Sequence, residues 1–590
     1  MSLIRASSSM ITGSPANVRD YGAVGDGLTD DTAALQAVIT AAEARGGGMV
    51  LFPPGVYKTT YTLLFGSNLH LYGPGATINY ATSQTDGTAL VSRSYDGVGT
   101  CQHTIIEGLE IKTTSDKGNG IGLPKASDIT VRDCWGTQIW HHLVDMAGCS
   151  HIVVEDCYRD GGSNTGIQID NLTATGGLYV ENSDHTLTSA VVDSTHSHHI
   201  AIRNCTIRNN TAGAIHLHRT GGYDLLIEGN LIEECKYGVL ADASTDWSNI
   251  TIQGNTIRRD SGTTPAAADA GIKLSCRCST VIITNNIVDR YDYGIVIKQN
   301  DSTSPVLTQG HVVANNTIRN CLTRGIAIDY CSGTVSGNQL YNIGYNRTTG
   351  SFTSASTKTD TTCLGLSIWA CQSLVVTGNV LYTVAGTGID IRSTSSNISL
   401  ISNQLYNVAQ GIRSDSSTDI QNRIQSNTII GGTFLFWGIY INACNKTYIS
   451  DNIIQDVKAI GIGVDSSTTV LVDRNRIVAT GGAATYGISI FTCTDVRLSD
   501  NVVSGFSTAT IGLRTSTATV VGSIGSGYAI DSNCTGVVVE ASGSAAPVAG
   551  AWAVGSRVIH TAPAAGGNIG WVCTTAGTPG TWKTYGAIAA

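Results

Sequence analysis

Along much of the chain the apolar positions fall into one recurring phrase: an apolar residue, two variable residues, then Asn. Examples are Ile227-Glu228-Gly229-Asn230, Ile252-Gln253-Gly254-Asn255, Val376-Thr377-Gly378-Asn379, Ile449-Ser450-Asp451-Asn452 and Leu498-Ser499-Asp500-Asn501. The Asn positions are 230, 255, 286, 316, 338, 379, 403, 427, 452, 475 and 501, and most steps are 22 to 26 residues. Longer steps, such as 338 to 379, predict loops inserted in one coil. Upstream, Cys134, Cys157 and Cys205 occupy the Asn place, with Ser183 expected in an intervening coil. About eight residues later comes a second phrase, Gly then alternating apolar and variable residues: Gly294 to Lys298, Gly325 to Asp329, Gly388 to Arg392, Gly438 to Asn442. Alternation with period two marks a half-buried strand. A third apolar stretch precedes each Asn, as in Leu225 to Ile227, and no helical periodicity intervenes.

Short strands repeating at this period predict an all-β parallel solenoid, with equivalent strands stacked about 4.8 Å apart. Asn at the same turn of successive coils forms a ladder, each amide bonding to the next. A β-propeller needs blades of about 40 residues, and a leucine-rich repeat needs a helix and a Leu consensus that the sequence lacks.

Solenoid ends need caps. The segment Thr29 to Ala44 predicts a helix with Leu35, Val38, Ile39 and Ala42 on its apolar face and Gly46-Gly47-Gly48 beyond its end. The run from Tyr21 to Thr32, followed by Ala34-Leu35-Gln36, Gly46-Gly47-Gly48 and Phe52-Pro53-Pro54-Gly55-Val56-Tyr57, resembles the entry motif of the pectate-lyase-like superfamily. That motif is common in phage tailspike depolymerases and related polysaccharide lyases and hydrolases. The resemblance implies a right-handed parallel β-helix. For tailspikes it further implies a homotrimer on the virion tail, outside the cell, acting on a bacterial surface polysaccharide. Asp26, Asp30 and Asp31 are then capping and turn residues. The expected organisation is an N-terminal extension (1–17), a cap and entry (18–75), the β-helix (76–540), and a linker with a small C-terminal β module (541–590). Trp552, Trp571 and Trp582 of that module are expected in its core, and its role is either trimerisation or sugar binding.

Composition narrows the function. With 42% hydrophobic and 13% charged residues the chain is not a disordered one, and a net charge of −9 disfavours nucleic acid as a partner. No apolar run is long enough to insert in a membrane, and residues 1–15 lack the apolar core of a signal peptide. The 16 cysteines match no zinc pattern, Cys276 and Cys278 being an isolated pair, and are expected as buried thiols.

The variable places of the Gly phrase point outward and stack into two columns. One is predicted to carry Asp145, Asp170, Asp193, His218, Asp242, Ser275, Lys298, Asp329, Trp369, Arg392, Asp415, Asn442 and Asp465. The other carries Gln168, His216, Lys273, Asp390, Arg413 and Tyr440. Asp170, Asp193, His218 and Asp242 are the candidate catalytic group, because stacked carboxylates push one another's pKa values apart, as glycoside hydrolysis requires. Asp170 with Asp193 suits a retaining spacing and Asp193 with Asp242 an inverting one. His216, Arg219, Lys273, Lys298, Asp329, Trp369, Arg392 and Tyr440 are the expected substrate-binding residues. Asp390, Arg392, Arg413 and Asp415 read as an ion-pair ladder or a site for acidic sugars. His196-Ser197-His198-His199 reads as a polar loop, and no metal ligand set is expected.

The expected activity is endo-acting hydrolysis of a bacterial capsule or O-antigen, with no cofactor. The alternatives are β-elimination on a uronate polymer, with His216, His218, Arg219 and Lys273 supplying base and cation and an Asp pair holding calcium; a non-catalytic glycan-binding adhesin; and a mannuronan-epimerase-like enzyme. The calcium and Arg constellation of pectate lyases has no residue-by-residue counterpart here.

Overall fold

The computed structural model describes residues 14–590 apart from 83, 85, 114–117, 171–177, 191–195, 219–220, 260–265, 299–306, 347–350, 353–362, 416–420, 433–434, 481–483, 517–519, 525–527, 531–533, 535–537 and 549–551. Two compact units make up the chain, one of residues 1–291 and 296–308, the other of residues 292–295 and 309–590.

In the first unit the helix Thr32–Ala44 buries Leu35, Val38, Ile39 and Ala42. It starts three residues later than the sequence suggests, because Asp26–Asp30 is a strand paired with Gly55–Thr59. The carboxylates tie this entry together. Asp31 accepts the backbone N–H groups of Val24 (2.6 Å) and Gly25 (3.0 Å), Asp30 that of Thr32 (3.0 Å), and Asp26 those of Leu28 (2.9 Å) and Thr29 (2.8 Å). At the other end Gly47 has φ +119°, and a Cβ there would lie 2.2 Å from the carbonyl oxygen of Asn68, so only glycine fits.

Successive coils pair as parallel strands in register in both units. In the second, Ile389, Ile412, Ile439, Ile462, Ile488 and Ile511 stack as one buried column. The recurring Gly beside that column has a steric origin. A Cβ on Gly388, Gly411, Gly438 or Gly461 would come within 2.2–2.9 Å of the carbonyl oxygen of the next glycine in the series. Close approach of coils, rather than turn conformation, fixes this residue.

The Asn ladder is continuous within each unit. Asn230 Nδ2 donates to Asn255 Oδ1 and Asn255 Nδ2 to Asn286 Oδ1, both at 2.9 Å. From Asn316 to Asn501 every ladder amide repeats the bond at 2.9–3.0 Å. Each Oδ1 also takes the preceding Asn's backbone N–H, as Asn403 Oδ1 does from Asn379 at 3.1 Å. Cys205 continues the ladder upstream, its N–H donating to Asn230 Oδ1 at 2.9 Å. All 16 cysteines are buried thiols outside any disulfide. Asn403→Ala would remove the acceptor of the Asn379 backbone N–H, one of the acceptors of the Asn379 side-chain amide, and a donor to the Val376 carbonyl. The expected cost is about 2–4 kcal/mol, read as a lowered urea midpoint.

One coil expected from the sequence does not exist. Ser150–Glu155 pairs directly with Ser197–Arg203, and Ile167–Asp170 directly with Ile215–His218. Residues 171–196 are instead an insertion carrying an antiparallel hairpin, Tyr179–Glu181 with Leu187–Ser189. Its Leu178, Val180 and Ala190 pack on Val91 and Ala147 in a small core of their own. Ser183 therefore holds no ladder position. Asp193, expected between Asp170 and His218, lies outside the described residues.

In the second unit the chain ends in an antiparallel meander of Arg557–His560, Asn568–Thr575 and Thr581–Ala587. Trp552 is buried there with the Trp582 ring edge-on at 5.2 Å, so these two rings pack against each other.

Candidate functional site

The outward face of the first unit is built by the strands Val144–Ala147, Ile167–Asp170, Ile215–His218, Tyr237–Gln253 and Ala270–Thr284. Their register sets one column as Asp145, Gln168, His216, Leu240 and Lys273. The other runs Ala147, Asp170, then His218, Asp242 and Ser275. Asp145 is thus two residues from its expected place, opposite Gln168 rather than Asp170, because its coil lacks the Gly that marks the register elsewhere. Asp170, His218 and Asp242 do follow one another on consecutive coils.

Part of this face borders a polar cleft of about 370 Å³, with Asp170 and Asp242 behind its lining as partners of His218 and His216. Asp145, Gln168, His216 and His218 reach it from the sheet. Asn119, His141, His142 and Asn164 come from flanking segments, Tyr179 from the inserted hairpin, and Asp86 completes the lining. His218 Nδ1 lies 3.2 Å from Asp170 Oδ2, which also accepts Gln168 Nε2–H at 3.2 Å. His216 Nε2 lies 2.9 Å from Asp242 Oδ1, and the rings of His216 and His218 are 4.7 Å apart.

The carboxyls differ in their environment. Asp145 is only 5% exposed, and its Oδ1 meets no hydrogen-bond donor. Burial, and then the charge of Asp170, push its carboxyl well above the usual range. Burial also opposes ionisation of Asp242. There, hydrogen bonding to His216 and the charges of His216, His218 and Lys273 outweigh it and hold the carboxyl below its ordinary value. His142 is buried with Nδ1 2.9 Å from both the carbonyl oxygen and Oγ1 of Thr165. Burial lowers its pKa to about 3, so it is a neutral imidazole at physiological pH.

Beneath the cleft lies Arg159, fully buried. It donates to the carbonyl oxygens of Gly136 (3.4 Å), Ile139 and His141 (3.3 Å), and burial lowers its pKa to about 10. These bonds fix the segment that delivers His141 and His142. Sequence reasoning missed Arg159, although a signal existed. It is the one cation in an inward column otherwise made of Gly136, Ile207, Ile232 and Ile257.

Of the expected site residues, Asp170, His216, His218 and Asp242 come together. Lys273 follows on the next coil with its ammonium 5.2 Å from the Tyr237 ring, and burial lowers its pKa against the pull of Asp242. Arg219, like Asp193, lies outside the described residues. Lys298 is exposed at the end of Tyr293–Lys298 and is no part of the cleft lining. Asp329, Trp369, Arg392 and Tyr440 belong to the second unit and are not in the cleft lining. There Trp369 faces Asp329 on one side and Arg392 on the other. Arg392 pairs with the buried Asp390, Arg413 with Asp415 at 2.8 Å, and Tyr440 donates to Asp465 at 3.0 Å. That is the ion-pair ladder of the sequence reading, built on a carboxyl, Asp390, which burial keeps above its ordinary pKa.

Among the described residues no helix is long and apolar enough to cross a membrane. No group of three or more His, Cys, Asp or Glu among them is arranged around a metal position.

Residues 16–240 match the family model described as rhamnogalacturonase A/epimerase, pectate lyase-like. Residues 189–362 match the right-handed beta helix region, and residues 336–511 the periplasmic copper-binding protein NosD. With its coil geometry, these matches make the chain a right-handed parallel β-helix resembling the pectate-lyase-like superfamily. Mannuronan C5-epimerase AlgE1 of Azotobacter vinelandii is 48% identical over 66 residues, 10% of this chain and 5% of that protein. Alginate lyase 7 of the same organism is 46% identical over 66 residues, 10% of this chain and 8% of that protein. The chain thus spans less than a tenth of these relatives. The uncharacterized protein YclG of Bacillus subtilis is 23% identical over 392 residues, 55% of this chain and 62% of that protein. Among solved structures, the surface adhesin PfbA of Streptococcus pneumoniae aligns at TM-score 0.39 and 17% identity, over 81% of this chain and 100% of that one. The tailspike of E. coli bacteriophage HK620, in complex with a pentasaccharide, aligns at TM-score 0.39 and 12% identity, over 82% and 80%.

Proposed function

We propose that the protein is an endo-acting glycoside hydrolase that depolymerises a bacterial surface glycan, capsule or O-antigen, in the manner of a tailspike. The cleft of the first unit is its catalytic site. The observation that carries this reading is Asp145, a buried carboxyl whose ionisation is opposed by burial and by a second carboxyl, Asp170, on the following coil. Hydrolysis of a glycosidic bond needs this inequality: one carboxyl to protonate the leaving oxygen, another to assist attack at the anomeric carbon. Asp145 is the general acid. Asp170, oriented by His218 and Gln168, is the base that takes the proton of the attacking water. Asp242 with His216 supplies negative charge where the oxocarbenium ion develops. Asn119, Asn164 and the neutral His142 hydrogen-bond sugar hydroxyls. No cofactor enters these steps. A homotrimer displayed on a virion tail is the assembly that goes with this function.

A second reading draws on the short match to mannuronan C5-epimerases and alginate lyase 7. On a uronate polymer His216 or His218 would remove the C5 proton, and a cation, calcium included, would neutralise the carboxylate. Incubation with a panel of capsular, O-antigen and uronate polysaccharides separates the readings. New reducing ends without the ultraviolet absorbance of an unsaturated uronate are expected. Ends accompanied by that absorbance mean a lyase, altered sugar composition without shortening an epimerase, and binding alone an adhesin.

A further inference from the structure

A cluster of aromatic and titratable side chains lies away from the cleft, at the turn where the insertion 171–196 rejoins the solenoid. On successive coils His103, Asp128, His151, His199 and Asp224 occupy one turn position, all with left-handed backbone (φ 54–57° from His151 onward and 55° before it). In a regular strand consecutive side chains point to opposite faces. The left-handed turn at His199 instead sets it beside His198, with the two Nδ1 atoms 2.7 Å apart.

Both rings are held before any ligand arrives. His198 stacks on Tyr223 (centroids 4.6 Å, planes 6° apart) and His199 on His151 (4.7 Å, 12°). His199 Nε2 lies 3.3 Å from Asp224 Oδ2. A carboxylate there keeps the proton on Nε2 and leaves the Nδ1 lone pair of His199 free to coordinate, the usual outer partner of a metal-bound imidazole. Two imidazole nitrogens about 2.1 Å from one ion sit roughly 3.0–3.4 Å apart, so the pair needs to open by only a few tenths of an ångström.

We propose that His198 and His199 form a two-nitrogen site for a divalent transition metal, zinc, copper or nickel, with water completing its shell and Asp224 as the outer partner. Calcium and magnesium, which prefer oxygen ligands, are not its ions. The metal takes the place of the proton between the two Nδ1 atoms, and that proton moves to Nε2 of His198, so that both ligands are neutral imidazoles.

The test is calorimetric titration of the untagged full chain with zinc chloride, alongside the visible spectrum of the cobalt-loaded protein. One ion per chain is expected. His199→Ala and His198→Ala should each abolish binding, and Asp224→Asn should weaken it about 10–100-fold. His216→Ala, in the cleft, should leave binding unchanged, and calcium in excess should not compete. His199→Gln, with an unchanged thermal midpoint, serves if the alanine variant does not fold. No zinc binding by the wild type, or undiminished binding by a folded His198→Ala/His199→Ala double variant, overturns the proposal.

Discussion

Asp145→Asn is expected to abolish glycan cleavage, lowering kcat at least about 10²–10⁴-fold, and at the same time to make the protein more stable at neutral pH. The two effects have one cause. Asn keeps the shape of the side chain but has no proton to give a leaving sugar oxygen. It also removes an acid whose ionisation is opposed by burial and by Asp170. The folded pKa of Asp145 is raised above its unfolded value of about 3.9. Its contribution to stability is therefore fully present below that value and is lost as pH rises through the folded pKa. Asn has no such loss. The thermal midpoint of the variant relative to wild type should thus climb from about pH 4 upward and level off above the folded pKa of Asp145. Wild-type activity should fall over the same alkaline limb, as the acid loses its proton. A variant that keeps full activity, or a midpoint difference that does not change with pH, removes Asp145 from the role of acid.

The largest loss of stability is expected at Arg159. With 0% exposure it is the largest fully buried side chain, and three carbonyl oxygens on the segment 136–141 depend on it. Arg159→Ala leaves a cavity and orphans those carbonyls, at an expected cost of about 3–5 kcal/mol. Arg159→Met restores most of the volume without the donors and should recover only part of that loss. Arg159→Lys keeps the charge but not the planar fork that reaches several acceptors, and should fall between. Urea midpoints order the three. Because the segment held by Arg159 presents His141 and His142 to the cleft, catalytic loss should exceed what the unfolded fraction accounts for. If Arg159→Met matches wild type in stability, the carbonyl bonds contribute little.

The solenoid was legible in the sequence because stacking imposes its own signature. Ladder residues such as Asn403 must bond to the coils before and after, and Gly411 must admit a carbonyl where no Cβ fits. Neither depends on a turn being recognised. The same periodicity misled where an insertion has the length of a coil. Cys157 and Cys205 are separated by about two repeats, and the intervening hairpin pairs antiparallel with itself rather than joining the stack. Asp193 was placed in a column on that spacing alone.

The site was half legible. Asp170, His216, His218 and Asp242 occupy alternate outward places of regular strands, so period two finds them. Asp145 slipped by two residues where the marker Gly is missing. His142 and Asn164 come from segments between strands, Asn119 from the start of the strand Asn119–Pro124 and Tyr179 from the inserted hairpin, places that the outward columns do not mark. Trp369, Arg392 and Tyr440 belong to the second unit, where Asp390, Asp415 and Asp465 engage their neighbours. Column membership does not distinguish a charge that pairs across coils from one that faces a substrate.

The most direct test of the central claim is mass spectrometry of the products formed in heavy-oxygen water from a glycan that the protein shortens. Hydrolysis at the Asp145 cleft predicts saturated oligosaccharides carrying one solvent oxygen at each new reducing end, and none from Asp145→Asn. Unsaturated products without solvent oxygen, or labelled products undiminished in the variant, would contradict it.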